Sequence, residues 1–411
     1  MYIKINYRTI IVTFTIIYLP LSLTLQENFT QAIWGYGDEV FSLLMLSYVL
    51  VLLLKGKFLK KDMPILILLT LLTILGLISN VYSKLTNNLM AILVDAFWQW
   101  KIFIAFLGAK YIANKDKNNT IIKSLFKVAK GFLVISTLCG IINCFINLGM
   151  SNGYRYGIPS YYFIFYNEGR FGIIVAIALL IILCGTDDSK VTKKYEILAL
   201  LSMIFTTKGI VYIIIAMYIV LQMLFKVIEK RARLNLKTII PLSIGVLLVS
   251  SYQIQNYILN DISPRMLLIK YGIITAINYF PLGSGLATYG SEMAARYYSP
   301  LYVQYGWQDK YAMGIENGFA LNDNYLATIV GEFGFFGLII MISLFFIIFN
   351  RINKIDYNVK TKSMILSLFL CMIIAFLATG ITKSSIGVCV FIVLGVLTGL
   401  DEYKNSANKI I

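Results

Sequence analysis

Long apolar runs recur along this chain, and short polar stretches rich in lysine separate them. Twelve runs read as candidate membrane spans, at roughly 9–25, 39–54, 64–82, 89–112, 124–148, 169–184, 195–207, 209–226, 238–257, 325–349, 362–381 and 385–400. One long interruption, 258–324, falls between the ninth and tenth. The pattern predicts an all-α polytopic membrane protein of about 12 transmembrane helices. It forms a single integral membrane domain over 1–411, with one long extracytoplasmic loop, 258–324, carrying short amphipathic helices. The run at 195–207 is short and ends at Thr206-Thr207-Lys208-Gly209. It reads as a hairpin with the next run, because a single long helix would hold Lys208 mid-membrane at a cost of about 3 kcal/mol.

The charges orient this scheme. Most of the 36 lysines and arginines fall in every second loop, as in Lys55 to Lys61, Lys110 to Lys130, Lys190 to Lys194, Lys226 to Lys237 and Arg351 to Lys362. Positive residues favour the cytoplasmic side, so both termini are expected there. Lys4 and Arg8 precede an apolar run with no small-residue cleavage site after it, which reads as a retained first helix.

Composition sharpens the class. The chain has 411 residues, 59% hydrophobic and 14% charged, where a soluble domain has about a quarter charged. The net charge of +16 is explained by the loop lysines, so nucleic acid is not an expected partner. The five cysteines sit in or beside apolar runs without metal-binding spacing, and the absence of histidine excludes a histidine base or ligand. No metal or cofactor is expected. No repeat relates the two halves, which weighs against a transporter.

Lys84, Arg155, Arg170, Lys208, Arg265, Lys270, Arg296, Lys310 and Lys383 are left on the extracytoplasmic side, where the orienting rule disfavours them. Guanidinium forks match phosphate geometry, so Arg155, Arg170 and Arg265 read as an anion site, with Lys208 and Arg296 behind them. Lys84, Lys310 and Lys383 read as ordinary surface charge. Asp95 and Lys101, inside the fourth span, should face the bundle or an aqueous cavity. In the long loop, residues 265–280 read as an amphipathic helix at the interface, broken by Pro281-Leu282-Gly283-Ser284-Gly285. Tyr289, Tyr297, Tyr298, Tyr302, Tyr305, Trp307 and Tyr311 read either as membrane anchors or as a platform for sugar rings.

Four local features together resemble the bacterial O-antigen polymerase/O-antigen ligase family, Wzy-type glycan polymerases included. They are Arg265 with the amphipathic run and Pro281-Leu282-Gly283-Ser284-Gly285-Leu286-Ala287-Thr288-Tyr289; Asn322-Asp323-Asn324-Tyr325-Leu326 with Gly331-Glu332-Phe333-Gly334 and Gly337; Thr206-Thr207-Lys208-Gly209; and the Asp95/Lys101 helix. The resemblance implies a glycosyltransferase of the bacterial plasma membrane. It would move glycan from undecaprenyl diphosphate to the next lipid-linked repeat unit, for capsule, exopolysaccharide or O-antigen, beside a flippase and a chain-length regulator. Family ligases carry a histidine at the start of the Asn322 motif, and its absence here favours a polymerase. A ligase to another acceptor and a lipid-linked oligosaccharide flippase are the alternatives.

Such a transfer needs cations for the leaving diphosphate and a base for the acceptor hydroxyl. The cations are assigned to Arg155, Arg170 and Arg265, then Lys208 and Arg296. The base is assigned to Asp323, then Glu168, Glu292 or Glu316, and Tyr325 is added as a substrate contact. Glu168 has an alternative role as the partner of Arg170, and Glu332 as the buried partner of an outside arginine.

Overall fold

The structure is a computed structural model that describes residues 7–29, 32–116, 118–227 and 263–407. In chain order it contains α1 (Tyr7–Phe29), α2 (Gly37–Leu54), α3 (Met63–Ser83), α4 (Leu89–Ala113), α5 (Thr120–Phe145), a hairpin of β1 (Ser151–Arg155) and β2 (Ile158–Tyr161), α6 (Glu168–Gly185), α7 (Ser189–Phe205), α8 (Gly209–Val227), α9 (Pro264–Asn278), α10 (Glu292–Arg296), α11 (Pro300–Gln304), α12 (Tyr325–Lys354), α13 (Val359–Ala378) and α14 (Ser385–Ala407). Among the described residues nine helices are long and apolar enough to cross a membrane, and the protein is a multi-pass membrane protein. Every apolar run coincides with a helix except 238–257, which lies outside the described residues. The runs in α1 and α7 fall short of the spanning measure. The β-hairpin is an addition to the all-α expectation.

The helices at the centre are α4, α6, α13 and α14. Most of their residues are buried, whereas α2, α3 and α5 expose leucines and isoleucines such as Leu43, Ile67 and Ile135 to the surroundings. Lipid solvates those outer faces, so helix association must come from close packing rather than from burial away from water. Gly395 and Gly399 supply it: a Cβ at either would collide with the carbonyls of Phe106 and Lys110, so α14 runs directly against the α4 backbone.

The long loop is folded around a break in α12. Gly334 has φ +62° and ψ −162°, outside helical geometry, which interrupts the helix one turn after Val330. The Gly331 and Glu332 carbonyls there accept the Ser284 and Gly285 N–H groups at 2.9 and 2.8 Å. Gly283 lies against the Gly334 amide, where any Cβ would collide. Ser79 and Ser83 of α3 donate to the Leu282 and Ser284 carbonyls, and Asn80 bonds both the N–H and the carbonyl of Leu286. Glu332 Oε1 accepts from the Thr288 and Tyr289 amides and the Ser291 hydroxyl, and Asp95 Oδ2 from the Ala287 amide.

These contacts correct two expectations. Glu332 holds loop backbone and is not the partner of an outside arginine. Tyr289, Tyr302 and Trp307 are fully buried with Leu268, Met313 and Leu321 in a small core of the loop. They are neither membrane anchors nor a sugar platform. Burial raises the Tyr289 and Tyr302 phenols above their usual range, so they stay protonated.

Candidate functional site

The N-terminal ends of α2, α6, α8 and α14, the middle of α4, the tip of the β-hairpin and the loop before α12 enclose one cavity of about 1060 Å³. Sequence-distant cations converge on it: Lys101, Arg155, Arg170, Lys208, Arg265, Arg296 and Lys383 line the wall. Its wall carboxylates are Asp38, Glu39, Glu292 and Asp323. Basic residues outnumber acidic ones, so the cavity favours an anion.

Local sequence explains how each group is presented. Asn167 caps α6 by accepting the Arg170 amide, which fixes Arg170 in the first turn. Ser263 caps α9 in the same way through the Met266 amide, with Pro264 in its first turn, so Arg265 leaves the helix at its start. Thr206 and Thr207 break α7 from α8 and leave Lys208 at the turn. The hydroxyls of Ser160 and Thr207 bond at 2.6 Å and tie this turn to β2.

Most cavity cations have a carboxylate within reach. Arg265 Nε and NH2 meet Asp323 Oδ2 at 2.8 and 2.7 Å. Lys101 meets Asp38 at 2.5 Å and Glu39 at 3.2 Å. Arg170 meets Glu27 and Lys208 meets Glu168, both at 3.5 Å. Arg296 and Glu292 stand 3.7 Å apart one turn along α10. The pairing corrects the expected Glu168–Arg170 contact: Glu168 is buried beneath Lys208, and Arg170 turns to Glu27.

The sequence-assigned residues divide clearly. Arg155, Arg170, Lys208, Arg265, Arg296, Glu292 and Asp323 all line the cavity. Glu168 is behind its wall. Glu316 is exposed elsewhere on the loop and does not line the cavity. Tyr325 is buried, donates its hydroxyl to Gln99 Oε1 at 2.8 Å and does not reach the wall.

Sequence reasoning missed Asp38 and Glu39. A signal was present, because a lysine inside a span needs a buried partner and α2 opens with these two acids. It also set Lys383 aside as surface charge. Lys383 lines the cavity, reaches the Gly290 carbonyl at 3.3 Å and lies over the Tyr325 ring. Burial lowers the pKa of its ammonium, and Asp95, Glu332, Glu292 and Asp323 act in the opposite sense.

The chain matches no protein-family model. It also matches no curated protein.

Proposed function

We propose that this protein polymerises lipid-linked oligosaccharide repeat units, moving glycan from undecaprenyl diphosphate to a hydroxyl of the next repeat unit. The observation that carries the reading is the convergence of Arg155, Arg170, Lys208 and Arg265, from four separate parts of the chain, on one cavity in a membrane protein. A diphosphate on a lipid carrier is the anion that a cation-lined cavity in a membrane protein would meet. In this reading the scheme has about 12 spans, both termini are cytoplasmic and the cavity opens on the extracytoplasmic side. The helix ends that line the cavity are those the charge pattern assigns to that side.

The chemistry is a displacement at the anomeric carbon. The acceptor oxygen forms the new glycosidic bond while the bond to the diphosphate oxygen breaks. The electron pair leaves with the diphosphate, and preorganised cations stabilise its growing charge. Arg265, Arg170 and Arg155 take that role, with Lys208 and Arg296 beside them. The acceptor proton passes to a carboxylate. Asp323 is assigned to it: both Arg265 contacts fall on Oδ2, and they hold the group at the wall.

Purified protein and one defined undecaprenyl-diphosphate-linked repeat unit, without sugar nucleotide, metal or partner, test the reading. A ladder of integral repeats on a gel is expected. Movement of the substrate across a sealed bilayer without a ladder would sink it and favour a flippase.

A further inference from the structure

The charge inventory of the cavity leaves one corner unexplained. Lys101, Arg170, Lys208, Arg265 and Arg296 each face a carboxylate within 4 Å, whereas Lys383 and Arg155 form no such ion pair among the described residues, and of these two Arg155 is exposed at the hairpin tip. The direct contacts of Lys383 are a carbonyl and an aromatic ring, which orient the ammonium, while the carboxylates of Asp95, Glu332, Glu292 and Asp323 act on it from beyond ion-pair distance. Lys383 stands at the entry to α14, a 23-residue helix that begins at Ser385. The first helical N–H groups have no acceptor within their own helix, and the end carries partial positive charge. Here the first i to i−4 bond runs from Val388 to Ser384, and of the amides before it that of Ser385, a residue of the cavity wall, has no backbone acceptor among the described residues, whereas that of Ser384 donates to the Ile381 carbonyl.

A second observation is independent of the helix end. Ser385 is 4% exposed, lines the cavity and has an Oγ with no hydrogen-bond partner. A buried hydroxyl left unbonded costs about 1–3 kcal/mol unless something on the cavity side accepts or donates. Ser384 also lines the wall, with its own hydroxyl donating to the Ile381 carbonyl at 2.7 Å. The turn is held beside the catalytic loop of the proposed reaction. A side chain at Gly380 would meet the Asn322 carbonyl at 3.0 Å, Lys383 Cε at 3.6 Å and Asp323 Cα at 3.8 Å.

We infer that Lys383 and the hydroxyl and amide of Ser385, at the start of α14, form a phosphate seat, which takes one phosphate of a lipid-borne diphosphate. The assignment rests on the proposed function for the identity of the carrier. Its chemistry, a phosphate on a helix N-terminus with a lysine and a serine, does not. The turn that carries the seat lies beside Asp323, the ion-pair partner of Arg265, so the two phosphates of one diphosphate can engage Lys383 and Arg265 separately.

Binding separates the seat from the activity. The full-length protein in nanodiscs is titrated with undecaprenyl diphosphate, with undecaprenol as the headgroup-free control and inorganic pyrophosphate as the free-anion probe. Lys383→Met is expected to weaken undecaprenyl diphosphate about tenfold and Ser385→Ala about threefold, with undecaprenol binding unchanged, as for loss of a charge-assisted and a neutral bond respectively. Lys383→Arg should restore most of the loss, and thermal midpoints report whether each variant is folded. Pyrophosphate binding that depends on Lys383 and equals that of the lipid would assign the seat to a free anion. Wild-type affinity in folded Lys383→Met and Ser385→Ala overturns the seat, whatever the polymerisation assay gives. Lys383-dependent lipid binding without a glycan ladder leaves the seat standing and removes the polymerase.

Discussion

The two ends of the helix bundle both gather lysine and arginine, and they use them differently. At one end Asp62, at the start of α3, receives Lys110 at 2.7 Å, Arg351 and the Tyr111 hydroxyl, and Glu402 meets Lys110 at 3.1 Å and Lys61 at 2.9 Å. The Lys110 and Asp62 side chains are 1% and 0% exposed. At the other end lies the cavity, where Arg265 and Asp323 are 29% and 37% exposed and the Arg170–Glu27 and Lys208–Glu168 contacts both stretch to 3.5 Å. A closed, saturated ion cluster has nothing left to offer a ligand; it fixes four helix ends to one another. Open, loosely paired cations keep binding capacity in reserve. The same residue types thus serve cohesion at one end and, in our proposal, catalysis at the other.

Breaking the closed end should cost most in stability. Asp62→Ala strands Lys110 and Arg351 without their anion and should destabilise the protein by about 3–5 kcal/mol, read as a lower thermal midpoint and reduced folded yield. Asp62→Leu combined with Lys110→Met should recover much of the loss; a non-recovering double variant would show that the cluster does more than hold helices.

Breaking the open end should leave the fold nearly intact. Arg265→Ala is expected to reduce glycan polymerisation about 100-fold in the defined assay, the scale of removing one transition-state cation, while stability moves by less than about 1 kcal/mol. Asp323→Asn should lower the turnover rate about as strongly while retaining lipid binding; full activity would remove Asp323 as the base.

The Glu332 clasp lies between the two extremes. Glu332→Ala leaves two buried amides and a hydroxyl without an acceptor and should cost about 2–4 kcal/mol, whereas Glu332→Gln keeps an acceptor oxygen and should cost less. Proteolysis within 285–300 would report a loosened loop. The smallest effect is expected at Glu316, which is exposed away from the cavity. Glu316→Gln should change the polymer ladder by less than about twofold, as for a surface substitution distant from the site.

Particular residues show why some of the site was legible and some was not. Arg155, Arg170, Lys208 and Arg265 stood out because a cation on the disfavoured side of a membrane needs a reason, and that rule can be read along one dimension. Lys383 obeyed the same rule, yet nothing in the sequence distinguished it from Lys310. Only the turn beside α14, with the unbonded Ser385 hydroxyl, makes it different. Tyr325 and Glu316 stand close to Asp323 in the chain, but a helix start turns one inward and the loop carries the other away. The tyrosines of the loop could not be sorted, because amphipathic rings suit a core, an interface or a ligand equally well.

The chain by itself determined the class: apolar runs of spanning length admit only helices in lipid, since every backbone polar group must be satisfied within its own segment. It also marked 258–324 as the one long stretch too polar and too broken by proline and glycine to span. Tertiary structure decided what those segments do. It wove Gly283 and Ser284 into the break at Gly334, set Asp38 and Glu39 against Lys101, and brought helix starts from distant parts of the sequence around one cavity. Hydropathy reports how each residue stands toward lipid, whereas pairing between charges depends on distances that only the packed helices fix.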